Sequence, residues 1–407
     1  MSGPMTGVKV VELGIWVAGP ATGGILADWG ADVVKIEPPS GDPARLFRKI
    51  LGGDLPSNPP FELDNRSKRS IALDLTDADG LGIALDLIAE ADVFVTNLRI
   101  GALERLGLDA ETVCGRLPRL VYCHITGYGR EGDDADRAAY DIAAFWSRSG
   151  IAHLLTEPGG DPPFQRGGMG DHSTGISGAA AVSAALFDRE RTGEGQLVST
   201  SLLRQGVYTI GFDVNTMLMW GTPMRLGTRS TMGNPCMNNY TAGCGSHFWI
   251  VGLDGERHWP PLARAVGHPE WMDDERFVTV RERAINSTEL IALLDEVFAT
   301  RTMAEWEEAF DAEPEFFWSP INDLESLLGD PAFQSSGAMV EVPDGSSSTL
   351  MVASPVDFAG TPWEARSTAP GIGEHTREVL TQIGRSEGEI EALLAAGTAT
   401  DGEGGLA

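Results

Sequence analysis

One short run in this chain brings together residue types that can do covalent chemistry: Gly167–Gly175, GGMGDHSTG, with Asp171 between glycines just ahead of a small-residue helical stretch. An aspartate there has two readings. As a helix cap, its oxygen satisfies amide N–H groups that the first turn leaves without partners. As a nucleophile, it uses the same surroundings differently. Amide donors and the helix dipole would keep the carboxylate charged. A charged carboxylate can attack an acyl carbonyl and form a mixed anhydride. The flanking glycines would admit a bulky thioester and offer amides to the oxyanion. His172 follows directly, but adjacency in sequence does not make it a base.

A second run is a decoy. Gly127, Gly129 and Gly132 spell G-x-G-x-x-G after an apolar stretch. The dinucleotide fingerprint belongs after the first strand of a βαβ unit, and this one comes late. It continues into Glu131, Asp133, Asp134 and Asp136, which would repel a pyrophosphate, so a surface turn is expected. There is no P-loop and no G-x-S-x-G elbow, which leaves ATP-driven ligation and serine-hydrolase chemistry without their usual signals.

Composition narrows the class. The 407 residues carry 59 acidic and 30 basic side chains, a formal net charge of -29. Such a field repels polyanions, so nucleic acid is not an expected partner. The lysines are Lys9, Lys35, Lys49 and Lys68, all in the first seventy residues. Arg66, Lys68 and Arg69, with Arg45, Arg48 and Lys49, form either an anion site or a solvated basic face. Cys114, Cys123, Cys236 and Cys244 form no C-x-x-C pair, and no histidine pair sits at metal spacing, so reduced, mostly buried thiols and no metal are expected. No secretory leader and no membrane span is expected, which suggests a cytoplasmic protein.

The elements that would position Asp171 alternate. Short apolar runs at 8–13, 33–36, 70–75, 92–97 and 120–126 read as strands. Between them, 77–89 and 110–116 read as helices, and 171–191 as a long helix. That alternation predicts an α/β class: a Rossmann-like large domain on a parallel sheet, with a smaller α+β domain. The boundaries read as 1–205 for the first part of the large domain, 206–245 for a linker and 246–330 for the small domain. Residues 331–407 would return to complete the large domain, the last ten (TATDGEGGLA) lacking fixed structure.

Several runs resemble family III CoA-transferases, the formyl-CoA and carnitine-CoA transferase type. They are GVKVVELGIWVAGPATGGILADWGADVVKIEPPSGDPAR, FELDNRSKRSIALDL, DVFVTNLRIGALERLGL, LVYCHITGYGREG, GDHSTG, RTGEGQLVSTSLL, INDLESLLGDPAF and GEHTREVLTQIG. They cover nearly the whole chain in order, and are most similar to the branch acting on aryl or hydroxy acids. The resemblance implies coenzyme A as a substrate, passed from an acyl-CoA to a carboxylic acid, and an interlocked homodimer. It assigns the nucleophile to Asp171. It assigns CoA contacts to Val17 and Ala18, to Leu73, Asp74, Leu75 and Thr76, to Asn97, Leu98 and Arg99, and to Arg105. Arg105 would meet phosphate, or else be a helix-surface arginine. Tyr140 and Asp141, with Arg137 before them, would approach the reaction centre, unless Tyr140 is core. Pro38 stands where the formyl-CoA branch has an arginine, so one phosphate contact would be either missing or replaced, with Arg45 as the candidate. Thr241–Ser246, TAGCGS, is the nearest counterpart of that branch's glycine loop. Trp16, Phe145 and Trp146 are either a pocket for a bulky acyl group or ordinary core. The alternative function in the same family is α-methylacyl-CoA racemase, whose histidine would fall at Tyr140.

Overall fold

The computed structural model describes residues 2–50, 57–224 and 227–402. The chain divides into two compact units, one of Met1–Thr156, Pro162–Gly211 and Ser335–Ala407, the other of Glu157–Asp161 and Phe212–Gln334.

In the first unit the valine-rich runs become strands β1 (Lys9–Leu13), β2 (Asp32–Glu37), β3 (Arg69–Leu73), β4 (Val93–Thr96), β5 (Val121–Thr126) and β6 (Leu197–Ser201). In the second unit β7 (Met237–Thr241), β8 (His247–Val251) and β9 (Trp318–Pro320) form an antiparallel sheet with its own aromatic core around Tyr240, Phe248, Phe298 and Trp306. The chain returns to the first unit through the hairpin β10 (Met339–Asp344) and β11 (Ser347–Val352), and ends in β12 (Ala399–Thr400).

The large sheet has the order β12-β3-β2-β1-β4-β5-β6. Strands β1 to β6 are parallel, and β12 closes the β3 edge antiparallel. The order 3-2-1-4-5-6 is that of a doubly wound fold, in which the chain reverses direction beside β1. Both faces are covered. Val10, Val33 and Val121 belong to one buried cluster, and their neighbours Val11, Val34 and Tyr122 to the other. That is why these strands read as unbroken apolar runs rather than as alternating ones.

Two helices on one face hold the site. Ala18–Asp28 packs along Met169–Thr192, and the contact is close because its residues are small. A Cβ on Gly175 would stand 2.7 Å from Ala21 Cβ, and one on Gly178 would stand 2.6 Å from Thr22 Oγ1.

Three expectations about organisation change. The 206–245 segment, read as a linker, holds the Gly211–Trp220 helix and β7. No residue of that helix is buried, so it lacks the one-sided apolar pattern by which helices are recognised. The tail is ordered through Thr400, because β12 pairs with Leu73 and Ala72; Glu403–Ala407 lie outside the described residues. Within the basic run, Arg66, Lys68 and Arg69 are neither a solvated face nor an open anion site, whereas Arg48 and Lys49 are exposed and line, with Arg45, a cavity of their own. Lys35 and Lys68 are fully buried and share Glu12 at 2.9 and 2.6 Å, and Arg66 is buried on Asp28 at 2.6 Å. Arg69 pairs with Asp32 and Glu378. The G-x-G-x-x-G run is a turn after β5, with Gly129 and Gly132 at positive φ.

Candidate active site

The carboxyl ends of β1 and β4 diverge at the reversal point, where doubly wound folds bind ligands. A cavity of about 510 Å³ opens there, lined by the loops after β1, β4 and β5 and by Asp171. The loops are tied to each other. Asn97 accepts the Ile15 amide at 2.9 Å and donates to the Ile15 carbonyl at 2.8 Å. Thr96 donates to the Leu13 carbonyl at 2.8 Å. From below, Lys35 donates to the Gly14 carbonyl at 2.9 Å, and Asp42 accepts the Trp16 amide at 3.0 Å. Trp16 is held at φ 63, a conformation that bulky residues rarely adopt, with its ring edge-on to Tyr140 at 5.7 Å.

Asp171 enters from the head of the Met169–Thr192 helix. It is not the cap. Gly168, at φ 79, takes that position, and Asp171 is the third helical residue. The capping carboxylate is Asp141, toward which the amides of Gly170 and Gly168 direct hydrogen bonds. Gln165 Nε2 donates to Asp141 Oδ2 at 3.0 Å and fixes it. Gly170 allows the helix to start where it does, since a Cβ there would sit 2.4 Å from Phe145 Cγ.

Relieved of capping, the Asp171 carboxylate makes no hydrogen bond among the described residues. Its charge is therefore opposed rather than held, contrary to the expectation of a carboxylate kept ionised by amides. Burial pushes its pKa up to about 7, Asp141 and Asp64 add to the rise, and His172 pulls it back. A carboxylate poorly solvated and without donors is a stronger nucleophile than one wrapped in amides.

Of the residues assigned to coenzyme A, the structure brings Val17, Ala18, Asn97, Leu98, Arg99 and Tyr140 to this cavity with Asp171. Tyr140 is 60% exposed, which removes the core reading. Asp141 stands behind Asp171 as the helix cap. Leu73, Asp74, Leu75 and Thr76 are not in the lining. Their strand lies two places from β1, Leu73 is buried beneath β12, and Asp74 accepts the Thr76 amide at 2.9 Å. Arg105 is exposed and makes no ion pair among the described residues. Arg137 pairs with Asp134 at 3.1 Å. Arg45 is bound to Glu37 through Nε at 2.8 Å and Nη2 at 2.6 Å, so it is not a free substitute for the arginine missing at Pro38. Phe145 and Trp146 are core; Trp16 alone of the three aromatics faces the cavity. Thr241–Ser246 is the turn between β7 and β8, closed by Ala242 N–H to the Ser246 carbonyl at 2.9 Å. The four thiols are unpaired, and Cys244 is exposed.

Sequence reasoning missed Asp64. It is 4% exposed, on the Pro59–Asn65 helix, and its Oδ1 is 3.1 Å from His172 Nε2. Nothing in its local sequence marks it; only the packing of that helix on Ala18–Asp28 brings it under the site. No group of three or more metal-ligating side chains occurs among the described residues.

Residues 5–376 match the model of CoA-transferase family III. The chain is 30% identical over 393 residues to (R)-2-hydroxy-4-methylpentanoate CoA-transferase of Clostridioides difficile, covering 95% of this chain and 97% of that one. It is 32% identical over 395 residues to cinnamoyl-CoA:phenyllactate CoA-transferase of Clostridium sporogenes, covering 95% of each. A crystal structure of a CaiB/BaiF family protein from Brucella suis superposes with a TM-score of 0.81 at 30% identity, covering 94% of this chain and all of that one. With a doubly wound sheet, a cavity at its reversal point and an unencumbered aspartate facing it, the chain belongs to CoA-transferase family III and is a CoA-transferase.

Proposed function

We propose that Asp171 is the covalent carrier of this CoA-transferase. The observation that carries the reading is a half-buried carboxylate, free of hydrogen bonds among the described residues, in the wall of a cavity large enough for a thioester. A carboxylate oxygen of Asp171 attacks the thioester carbonyl of the donor. The C–S bond breaks, the CoA thiolate leaves, and an aspartyl mixed anhydride remains. The thiolate attacks the aspartyl carbonyl, which releases the donor acid as its carboxylate and leaves an aspartyl-CoA thioester. The acceptor carboxylate attacks that thioester and expels the thiolate again. The thiolate then takes the acceptor acyl group from the second anhydride and regenerates Asp171. Thioester energy is conserved, so no ATP and no metal enters the cycle.

The thiol end of coenzyme A would pass Val17, Ala18, Asn97, Leu98 and Tyr140. Arg99, exposed and without an ion pair among the described residues, would meet phosphate together with Arg105. Leu73–Thr76 and Arg137 would be outer contacts, beyond the cavity. The named relatives point to 2-hydroxy or aryl acids as substrates, and the Trp16 face in the cavity wall supports a bulky apolar acyl group.

The working form would be a homodimer. The Gly211–Trp220 helix leaves Phe212 86%, Leu218 76% and Trp220 75% exposed, more apolar surface in one place than a monomer usually shows. A cytoplasmic location fits the described residues, among which no helix is long and apolar enough to cross a membrane. The racemase alternative lacks comparable support: the relatives named above are transferases, and a tyrosine stands at position 140.

The test is a panel of acyl-CoA donors and free acids, read by mass spectrometry for new thioesters, with hydroxylamine to trap acylated protein. Exchange should occur for 2-hydroxy or aryl acids and fall by at least ~10³-fold in Asp171→Ala. A variant that still exchanges CoA at the wild-type rate would refute the assignment.

A further inference from the structure

Helix Met169–Thr192 presents two successive side chains to two different cavities. Asp171 lines the larger one, and His172 lines a separate cavity of about 210 Å³ together with Asp64, Ile25, Ile176 and the buried Asp28–Arg66 pair. His172 is therefore not placed to touch a thioester bound against Asp171. Its ring is nonetheless fixed. Nε2 is 3.1 Å from the buried Asp64 Oδ1, and the ring lies against the backbone of Gly168, where an added Cβ would come 2.9 Å from its Cε1. Asp64 is itself backed by Lys68, which donates to Asn65 Oδ1 at 3.1 Å and to Glu12 at 2.6 Å.

Three carboxylates converge around this helix start: Asp171 in its first turn, Asp141 at its cap and Asp64 beneath it. In a poorly solvated site such a trio cannot all ionise without a counter-charge. Among the described residues, the cations Lys68 and Arg66 nearby are committed, Lys68 to Glu12 and Arg66 to Asp28.

We infer that His172, oriented by Asp64, is a positioning residue whose positive charge offsets the buried Asp64 and so leaves Asp171 free to ionise and act as a nucleophile. This rests on the reading of Asp171 as the acylated residue. Burial disfavours the imidazolium, but the hydrogen bond that Nε2–H donates to Asp64 and the charges of Asp64, Asp171 and Asp141 outweigh it and raise the His172 pKa. When Asp171 is acylated its charge disappears, and the His172–Asp64 pair remains neutral as a unit. The same pair can therefore serve both the free and the acylated enzyme.

The experiment follows acylation of Asp171 in a single turnover with an acyl-CoA, trapped and read by intact mass across pH. In the wild type the rate should rise through about 7 and level off. In His172→Gln the rise should move upward by about one pH unit, with the high-pH plateau kept within a few fold. Removing Asp64 as well (H172Q with D64N) takes away the now unpaired anion and should bring the rise back toward the wild-type position. A purely structural histidine would lower the plateau and leave the midpoint in place, and that result would overturn the inference. Histidine ¹⁵N NMR on the wild type decides independently of whether the variants fold: His172 should be an imidazolium near neutrality, and a neutral ring there would equally overturn it. Absence of any acyl adduct on wild-type Asp171 would instead defeat the parent reading, and this one with it.

Discussion

Glu12 and Asp171 are both carboxylates taken out of water in the same unit, and they respond in opposite directions. Burial opposes the Glu12 charge, but Lys35 and Lys68 both touch it and together hold its pKa below the usual range. Burial opposes the Asp171 charge too, and its neighbours are mostly further carboxylates, so its pKa climbs to about 7. The lesson is that burial sets the stake and the partners set the sign. Glu12 is a structural anion. It braces the Gly14–Ala18 loop through Lys35 and leaves nothing reactive. Asp171, without a hydrogen bond among the described residues, is the carboxylate proposed to meet substrate. The two lysines differ in the same way. Burial opposes both charges, but at Lys35 the carboxylates of Glu12, Asp42 and Glu37 outweigh it and raise the pKa, whereas at Lys68 Glu12 is countered by Lys35 and the pKa falls.

The largest expected effect comes from breaking the satisfied end. Glu12→Gln leaves buried Lys68 without an ion-pair partner among the described residues and should cost about 3–5 kcal/mol, lowering the melting temperature by roughly 10 °C. Because Lys35 also holds the Gly14 carbonyl, CoA transfer should weaken in parallel. Thermal unfolding checks this, and a melting temperature equal to wild type would mean that the network is not holding the loop.

Next comes the reverse substitution at the unsatisfied end. Asp171→Asn should stabilise the protein. The carboxyl ionises at 3.8 when unfolded and at about 7 when folded. Between these values the unfolded state sheds its proton first, so wild-type stability falls as pH rises through that window and stays reduced above it. The amide has no such penalty. The gain should be on the order of 2–4 kcal/mol above about pH 8 and vanish below about pH 4. A gain that does not vary with pH would break the comparison, since it would come from packing rather than from charge.

Much of this was legible in the chain. Val-rich strands alternating with helices gave the doubly wound sheet, because parallel strands buried on both faces leave unbroken apolar runs. Asp171 and the loop segments after β1 and β4 stand out by motif and family resemblance, and they line one cavity. What could not be read was pairing across distance. Nothing local tells that Arg66 and Lys68 turn inward to Asp28 and Glu12, or that Asp64 lies under His172, because each partner is supplied by a different helix or strand. The capping role offered to Asp171 went to Asp141 for the same reason: a cap from another segment satisfies the amides equally well.

The smallest effect is expected at Arg69, and it tests whether number of contacts or loss of water is what matters. Like Glu12, Arg69 meets two opposite charges, Asp32 at 2.7 Å and Glu378 at 2.9 Å, and it also donates to Gln382 at 2.7 Å. Unlike Glu12, its partners remain in contact with solvent, Asp32 being 31% and Glu378 51% exposed. Water can therefore replace most of what the arginine supplies. Arg69→Gln should cost about 1 kcal/mol or less, and the loss should shrink further in concentrated salt, which screens exposed pairs and spares buried ones. Denaturant titration at low and high salt measures both. A loss as large as that of Glu12→Gln, unmoved by salt, would show that counting charged contacts predicts stability here as well as burial does, and the contrast drawn between Glu12 and Asp171 would lose its physical basis.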